Sequence, residues 1–345
     1  MKQQSVTIVL EWDNAEGLAR DQALYFLRKL ARTIRESRAA IPRPVTLLLV
    51  FDGGVDQAAL RAMLDECAAD MQGSLRPKLL YAPEAEYYEK KGVAPFFETS
   101  DILVYADSDC RYSDNWLEDI LAPLLTGRAD LAFGDTVALE DGTMMGTMSA
   151  LGWFFPLRSP HDPLLKKGKH RFFANNFAIR RAVMEEVPIP RLAASRAHGG
   201  PWFRALVAAG VRTEKVTAAV AEHKQFDRFG DFVARAWMLG IDKDVGVAVA
   251  GGSRAYRIWR AVVACGETPV KYLRRFFSVG LTRVTPLDAL PIFLGGLAFA
   301  GVTCVSHLIA SVTRGRAVIS TDYSSIIATS RILPDEPAAG RAHAA

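Results

Sequence analysis

The sequence predicts an open α/β fold with a mostly parallel sheet, followed by membrane-associated helices towards the C-terminal end. Two observations predict the sheet: compact apolar runs alternate with helical segments from the start of the chain, and acidic residues follow three of these runs directly. A third observation, an apolar stretch of transmembrane length after Pro286, predicts the helical region.

Short apolar runs predict the strands of the sheet. They are typical of fully buried strands and lie at Val6–Leu10, Val45–Phe51, Lys78–Ala82 and Ile102–Ala106. Segments with helical spacing of apolar residues separate them, at Glu16–Arg38, about Gln57–Met71 and about Glu86–Thr99. The alternation predicts parallel strands that are joined by right-handed crossovers.

The middle of the chain is less regular. Apolar runs at Leu131–Gly134 and Phe172–Ile179 flank a Gly/Met-rich stretch and a basic loop at Lys166–Arg171. Arg204–Gly210 is typical of a helix that ends at a glycine C-cap. The basic loop, with Lys166, Lys167, Lys169, His170 and Arg171, is interpreted either as a solvated loop or as a binding site for an anionic lipid headgroup.

Composition excludes several function classes. The chain has 345 residues, half of them apolar, and a formal net charge of +4, which excludes a disordered chain and a polycation of the histone type. We therefore expect no nucleic-acid partner. Nine Lys and Arg residues against two acids in residues 252–316 make the positive charge local.

Cysteine spacing and the N-terminal segment predict the compartment. Cys67, Cys110, Cys265 and Cys304 form no CxxC pair, so neither a zinc ribbon nor a disulfide framework is indicated. The apolar run before Glu11 is too short for a signal peptide. The first domain is therefore expected to stay in the cytoplasm.

The late apolar stretch predicts contact with a membrane. Ile292–Ala310 contains no acid, lysine or arginine and is long enough to cross a bilayer. It follows VKYLRRFFSVGLTR, whose mixed basic and aromatic residues are typical of a helix at an anionic lipid surface. A buried core helix is the alternative. The predicted divisions are residues 1–250 (the sheet domain), 251–316 (the membrane-associated region) and 317–345 (a flexible tail).

Carboxylates follow the predicted strands, at the sheet edge where ligands of open α/β folds bind. Glu11-Trp12-Asp13-Asn14 follows the first strand, Asp52 the second, and Asp107-Ser108-Asp109 the fourth. Two carboxylates in one turn can hold a hard divalent cation, Mg²⁺ or Mn²⁺, and leave positions for phosphate oxygens. A solvated acidic turn is the alternative for the tripeptide alone.

These segments, taken in order over roughly residues 5–240, resemble the family 2 glycosyltransferases with a GT-A fold. Val6–Asn14 is similar to the opening strand and loop of that family, and Val50–Gly54 to its Val-Asp-Asp-Gly-Ser segment with one acid missing. Ile102–Asp109 is similar to the strand that carries the metal site. Phe173–Arg181 resembles the Gly-Asn-x-x-x-Arg-Arg segment. His223, followed by Phe229–Phe232 and Arg235, resembles the late histidine and the helix after it.

The resemblance implies a role for each of these residues. Asp52 and Glu11 would bind the nucleotide base and ribose of a nucleotide-diphosphate sugar beside Trp12, and Lys91 would offset phosphate charge. Asp107 and Asp109 would hold Mg²⁺ or Mn²⁺, with His223 as a further ligand of the metal or phosphate. The other substrate-binding residues implied are Asp13, Ser108, Asn175 and Asn176. Structural roles remain the alternative for His223, Asn175 and Asn176.

The predicted general base departs from the family pattern. That family carries an acid pair before the helix that a glycine closes, and its Asp deprotonates the acceptor hydroxyl. The corresponding residues here, His198-Gly199-Gly200-Pro201-Trp202, include no carboxylate. Three hypotheses stay open: His198 is the base, since its usual pKa near ~6.5 suits proton abstraction; another residue is the base; or the chemistry is altered or lost.

The leading hypothesis is a metal-dependent, inverting glycosyltransferase at the cytoplasmic face of a membrane, acting on a lipid-linked or glycan acceptor. The alternative is a nucleotide-sugar-binding or scaffold protein without transferase activity, which the missing acid pair favours. A nucleotidyltransferase is disfavoured because the loop after the first strand is acidic. A Rossmann oxidoreductase is disfavoured because no GxGxxG follows that strand.

Overall fold

The computed structural model describes residues 3–152, 155–159, 161–164, 172–192, 198–315 and 319–334. The strands are β1 Val6–Glu11, β2 Val45–Phe51, β3 Leu75–Tyr81, β4 Ile102–Asp107, β5 Cys110–Tyr112, β6 Leu131–Ala138, β7 Asn176–Arg180, β8 Arg191–Leu192, β9 Thr213–His223, β10 Ile319–Ser320 and β11 Arg331–Ile332. The basic loop predicted at residues 166–171 lies outside the described part of the chain.

The helices alternate with these strands and then dominate the chain after β9. They are α1 Asp13–Glu16, α2 Arg20–Glu36, α3 Gln57–Glu66, α4 Ala68–Met71, α5 Tyr87–Val93, α6 Trp116–Leu125, α7 Met144–Gly152, α8 Arg181–Glu186, α9 Gly199–Ala208, α10 Phe229–Val249, α11 Arg254–Arg275, α12 Pro286–Thr313 and α13 Ser324–Thr329. A 3₁₀ turn at Ala94–Phe96 extends α5, and a π-helical turn at Phe276–Gly280 extends α11.

One nine-stranded sheet runs through the sheet domain, in the order β11-β3-β2-β1-β4-β7-β6-β9-β5. Strands β3, β2, β1 and β4 are parallel, as the sequence predicts. Strand β7 is antiparallel to β4 and β6, and β6 is parallel to β9. The carboxyl ends of β1, β2, β4, β6 and β9 therefore share one edge of the sheet, which is the edge predicted to bind a ligand.

Helices cover both faces of the sheet, so each central strand is buried on two sides. One core contains apolar residues of α2, α3 and α6, such as Leu27, Leu60 and Trp116. The other contains residues of α5, α9 and α13, such as Trp202 and Ile326. This two-sided cover explains why the central strands are continuous apolar runs rather than alternating ones.

Helices α10, α11 and α12 pack together and onto α7 to form a third core, which contains Met148, Phe232, Phe276 and Phe299. Helix α12 passes α10 closely at Gly240, where a side chain would meet Ser306 and the backbone of α12. The predicted apolar helix is thus present, and one side of it packs against the rest of the protein.

The end of the described chain differs from the predicted flexible tail. Residues 319–334 form two short strands and a helix, and β11 pairs with the edge of β3. Tyr323 is buried at 2% exposure, and its hydroxyl donates to the Ile189 carbonyl at 2.9 Å. The prediction extended the Ala/Pro-rich composition after Pro334 back over residues 319–334, where Tyr323 packs directly against Gly92.

Candidate active site

An acidic cluster lies where β4, β5 and β9 meet. Asp107 is the last residue of β4, and Asp109 lies in the turn before β5. His223 ends β9 and is the register partner of Cys110. One ligand-type atom from each of Asp107, Asp109, Cys110 and His223 lies within 4.8 Å of the others, close enough to hold one metal ion.

The donor set fits a divalent cation that prefers oxygen and imidazole ligands. The Nδ1 of His223 lies 2.6 Å from the Lys224 carbonyl, which can only accept a hydrogen bond. Nδ1 is therefore engaged by the backbone, and Nε2, 3.4 Å from Asp109 Oδ2, is the ring nitrogen placed to bind a metal. Burial raises the pKa of the Cys110 thiol well above its usual value, so Cys110 is the weakest of the four as a ligand.

Lys91 supplies a positive charge next to the acidic cluster. Its ammonium group forms an ion pair with Asp107 and donates to the Ala174 carbonyl at 2.8 Å. Burial alone would lower the pKa of Lys91, but the negative charges of Asp107 and Glu11 outweigh it and raise that pKa. Lys91 therefore stays charged next to the residues predicted to bind metal.

Glu11 lies at the end of β1, directly across the register from Asp107. It is fully buried, and its carboxylate accepts from the Asn14 side chain at 2.9 Å and from the Asp13 N–H at 3.1 Å. Burial, and then the charge of Asp107, raise its pKa well above the usual range. Glu11 thus supports the loop after β1, and the structure gives it no open position for a nucleotide.

A second, more open acidic group lies at the ends of β1 and β2. Lys90 contacts both Asp13 and Asp52, and its side chain is 1% exposed. Partial burial would raise the pKa of Asp52, but hydrogen bonds from Lys90 and from the Gly54 N–H lower it. Asp52 is therefore ionised and half-open to solvent, as a residue that binds a ribose or base requires. The sequence analysis missed Lys90, although the adjacent pair Lys90-Lys91 was a visible signal.

Asn14 connects these groups through its side-chain amide. This amide lies within hydrogen-bond reach of Glu11, Tyr87, Asp107 and Asp109, at 2.9 to 3.4 Å. The Tyr87 hydroxyl also donates to Asp107 at 3.0 Å. The loop after β1, the helix α5 and the acidic turn therefore form one hydrogen-bonded unit.

Three predicted binding residues have structural roles in this structure. Trp12 is 3% exposed and packs in the core under α2, so it forms no wall of an open site. The Ser108 hydroxyl accepts from the Ala15 N–H at 3.0 Å and fixes α1 to the acidic turn. Asn176 is fully buried and is bonded to Trp116 and to two backbone carbonyls. The sequence pattern correctly predicts that these residues lie at strand ends. It does not predict which residues of neighbouring strands and helices contact them.

A cavity of about 620 Å³ opens beside the acidic cluster. Asp107, Lys91, His223 and Asn175 line one end of it. The Asn175 side chain accepts from Thr136 at 2.8 Å, which holds it at this wall. Further along, the cavity runs between the start of α9 and one face of α10. Asn175 therefore lines the cavity on the side of β4 away from Asp52, and its role in acceptor binding stays a prediction.

His198 does not reach this cavity. Its ring stacks on Tyr88 with centroids 4.6 Å apart, and its Nε2 accepts from the Leu192 N–H at 3.3 Å. The side chain is 1% exposed, and burial lowers its pKa to about 4. A histidine in this position is a poor proton acceptor for a substrate in the cavity. The structure thus disfavours the first of the three hypotheses about the base.

The cavity is lined by three charged residues on one face of α10, namely Arg235, Asp242 and Lys243. Arg235 belongs to the segment after the late histidine that carries the family resemblance. The sequence analysis did not select Asp242 and Lys243, although their helical spacing from Arg235 was an available signal. Asp107 and Asp242 are the two carboxylates among the described lining residues.

Comparison with protein families agrees with this site. Residues 97–187 match the model of glycosyl transferase family 2, a range that contains the acidic turn and Asn175. The match confirms the predicted family resemblance and enzyme class over this part of the chain. The mixed, mostly parallel sheet confirms the predicted GT-A fold. No curated protein sequence matches this chain significantly.

Several solved structures are similar in overall shape at low identity. The mannosyltransferase PcManGT from Pyrobaculum calidifontis, in complex with GDP-Man and Mn²⁺, is 15% identical, with a TM-score of 0.49 over 90% of this chain and 87% of that one. GalNAc-T7 with UDP, GalNAc and Mn²⁺ is 16% identical, with a TM-score of 0.47 over 72% and 50% of the two chains. The glucosyl-3-phosphoglycerate synthase from Mycobacterium tuberculosis, in complex with phosphoglyceric acid, is 14% identical, with a TM-score of 0.44 over 72% and 78%.

Proposed function

We propose that this glycosyl transferase family 2 chain moves a sugar from a nucleotide-diphosphate donor to an acceptor hydroxyl, with inversion and with Mg²⁺ or Mn²⁺. One observation carries the proposal: Asp107, Asp109 and His223 come from separate strand ends to one cluster beside a cavity. The open Asp52, on the other side of Asp107, supports a nucleotide site next to this cluster.

Different residues of the chain serve different steps of the sugar transfer. Asp13 and Asp52 bind the nucleoside, and Lys90 bridges these two carboxylates. Asp107, Asp109 and His223 would hold the metal, whose positive charge would offset that of the diphosphate leaving group. The acceptor then enters through the cavity, and its hydroxyl loses a proton to a carboxylate on the cavity wall, for which Asp242 is our candidate.

The second candidate function, nucleotide-sugar binding without transfer, is favoured by one observation. The described start of α9, residues 198–202, carries no carboxylate, and His198 is buried away from the cavity. This candidate predicts donor binding through the acidic cluster but no turnover. A titration of the protein with the donor, followed by a turnover assay, distinguishes sugar transfer from donor binding alone.

The test uses the full chain in a non-ionic detergent with UDP-sugars and GDP-sugars. We expect Mn²⁺-dependent donor binding in the wild type and its loss in Asp109→Ala, by a factor of about 100 or more because a metal ligand is removed. Asp114→Ala is the matched control, since this exposed acid lies five residues away and contacts only Lys29 among the described residues. If donor affinity is equal in Asp109→Ala and wild type, both with and without Mn²⁺, the proposal is refuted.

Membrane attachment of this enzyme is proposed through an apolar surface on α11 and α12. On α12, the exposed apolar side chains recur at intervals that keep them on one helix face: Leu287, Leu290, Leu294, Val305, Ile309 and Val312. Phe277 is 61% exposed at the end of α11, beside the exposed cations Lys271 and Arg274. An apolar face with flanking cations is the arrangement that binds an anionic lipid surface.

The contacts of α12 favour attachment along the bilayer surface over a crossing of it. Helix α12 has the length and apolar composition of a span, but half of its most apolar window is buried in the protein. Before α12, Arg275 forms a buried ion pair with Asp162 of the sheet domain at 2.9 Å. After α12, β10 pairs with β8 of the same domain. A helix anchored to one domain at both ends is better placed to lie on a membrane.

Vesicle binding tests this attachment. We expect the full chain to sediment with vesicles that contain phosphatidylglycerol, and the double variant Leu287→Ser/Leu290→Ser to bind at least tenfold more weakly, because each leucine loses about 1.5–3 kcal/mol of apolar transfer. Val207→Ser is the control, since Val207 is also an exposed apolar residue, at 52%, but lies on α9. Binding that is unchanged in the double variant would refute this surface, and a protein that resists alkaline extraction would refute in-plane attachment. A position at the cytoplasmic face remains a prediction.

A further inference from the structure

The cavity beside the acidic cluster is lined by arginines as well as by acids. Its walls carry Arg204 from α9 and Arg235 from α10. Asp107 and Asp242 are the acids among its described lining residues. The walls that α9 and α10 supply therefore carry two guanidinium groups against the single carboxylate of Asp242.

Burial strengthens the attraction of this region for an anion. Arg235 is 5% exposed, although its side chain lines the cavity. Water screens such a guanidinium far less than one on an open surface, so its field in the cavity is larger. Lys243 contributes less to this field, because its ammonium group donates to the Thr268 hydroxyl of α11 at 3.0 Å and burial lowers its pKa to about 8.

The start of α9 leaves room for a ligand next to these cations. Gly199 and Gly200 line the cavity and present no side chain to it. A Cβ atom at Gly200 would lie 3.7 Å from the Arg204 guanidinium, so Arg204 extends back over this glycine. An acceptor group that enters over α9 therefore passes between Arg204 and the α10 face.

We propose that the part of the cavity between α9 and α10 holds a subsite for an oxyanion, a phosphate or carboxylate group of the acceptor, which Arg204 and Arg235 bind. The inference rests on the proposed function, because the same cavity is also lined by Asp107 and His223 of the proposed metal site. Guanidinium groups match both oxyanions by paired hydrogen bonds. The acceptor is then a molecule with a free hydroxyl at one end and a negative charge beyond it, and a lipid phosphate or a soluble phosphate ester supplies this chemistry.

The test measures binding of small anions to the full chain by calorimetry in a non-ionic detergent, with EDTA present so that no metal takes part. The probes are methyl phosphate for the soluble source, geranyl phosphate for the lipid source and geraniol as the uncharged reference. We expect both phosphates to bind and Arg204→Gln to weaken them about tenfold or more, since one charge-assisted contact is lost. Arg204 is exposed, so this variant keeps its fold.

The control and the outcomes separate this inference from the proposed function. Arg228→Gln removes an exposed arginine outside the cavity lining and is expected to leave phosphate affinity unchanged. Tighter binding of geranyl phosphate supports the lipid source, and equal binding of the two phosphates supports the soluble one. Geraniol that binds as well as geranyl phosphate, or an Arg204→Gln variant with wild-type phosphate affinity, overturns the subsite. If Mn²⁺-dependent donor binding is intact in that case, the proposed function survives.

Discussion

The ammonium group of Lys91 contacts the carboxylate of Asp107, and the two side chains are 1% and 3% exposed. Asp107 is also the first carboxylate of the acidic turn that is proposed to bind metal. The chain thus carries its own cation at the metal site, and this cation compensates Asp107 whenever no metal is present. A bound divalent ion would therefore add positive charge to a site in which Lys91 already neutralises Asp107.

The first prediction concerns this internal cation. Lys91→Met is expected to destabilise the metal-free protein by about 3–5 kcal/mol, because it leaves a buried carboxylate without its partner. Mn²⁺ should restore a larger part of the unfolding free energy in this variant than in the wild type. Urea unfolding in EDTA and in Mn²⁺ measures both effects. Lys29→Met, which breaks an exposed pair with Asp114, should cost at most about 1 kcal/mol and show no change in its response to Mn²⁺; an equal cost in both variants would contradict the prediction.

The second prediction separates the candidate bases. We expect His198→Gln to turn over donor within about threefold of the wild type, since the ring faces Tyr88 and Leu192 instead of the cavity. Asp242→Asn should lose about a hundredfold or more, which is typical for the loss of a general base, with donor affinity unchanged. Steady-state donor turnover and calorimetric donor binding check the pair. If His198→Gln lost turnover and Asp242→Asn did not, the hypothesis that His198 is the base would be supported instead.

The third prediction is a pH dependence of stability. The folded protein protonates His198 only at about pH 4, because burial lowers its pKa, whereas the unfolded chain does so near ~6.5. As the pH falls from 6.5 to 4, the unfolded state gains protons and the folded state loses about 3 kcal/mol of stability from this residue; above 6.5 there is no such effect. Urea unfolding of wild type and His198→Gln at pH 7.5, 5.5 and 4.5 measures it.

The matched control for this pH series is His161→Gln, which replaces an exposed histidine. Its stability should follow the wild type at every pH. The difference between His198→Gln and the wild type should shift in favour of the variant as the medium becomes more acidic. A difference that stays constant across the series would mean that His198 titrates normally.

The fourth prediction tests the contact between Gly92 and Tyr323. A Cβ atom at Gly92 would lie 1.9 Å from the Tyr323 hydroxyl, so Gly92→Ala should destabilise the fold by about 1–3 kcal/mol despite the better helix propensity of alanine. In a Tyr323→Ala background the same change should cost less, and the double-mutant cycle measures this coupling. Gly266→Ala, in open space on α11, should stabilise by up to about 1 kcal/mol. Additive costs at Gly92 and Tyr323 would contradict the contact.

The sequence predicted β1, β2 and β4 because each is a compact apolar run buried on both faces. It predicted β3 from the shorter apolar run at the end of that strand, which is buried only in part. It missed β9, whose eleven residues are mostly half-exposed and include Thr, Glu and Lys. This strand is held by long-range pairing with β6 and a register shift after Gly134, neither of which leaves a local pattern. The late histidine was nevertheless selected, by resemblance alone.

The sequence predicted the position of a side chain in the fold correctly where chain direction decides that position. Asp52, Asp107 and Asp109 lie at one edge because parallel strands end there. It was less successful where packing decides. Trp12 and His198 carry suitable chemistry but are buried against α2 and Tyr88, and the cations of α10 face the cavity only because α12 covers the opposite side of that helix.

The pairing of β11 with β3 also has a consequence for synthesis on the ribosome. Strand β3 is made early, but its outer edge is covered only when Arg331 and Ile332 have been added, after the whole helical region. Until then the nascent chain exposes an unpaired strand edge, a template for association with other chains. We infer that the interval between translation of β3 and β11 is the period in which this protein most needs a chaperone.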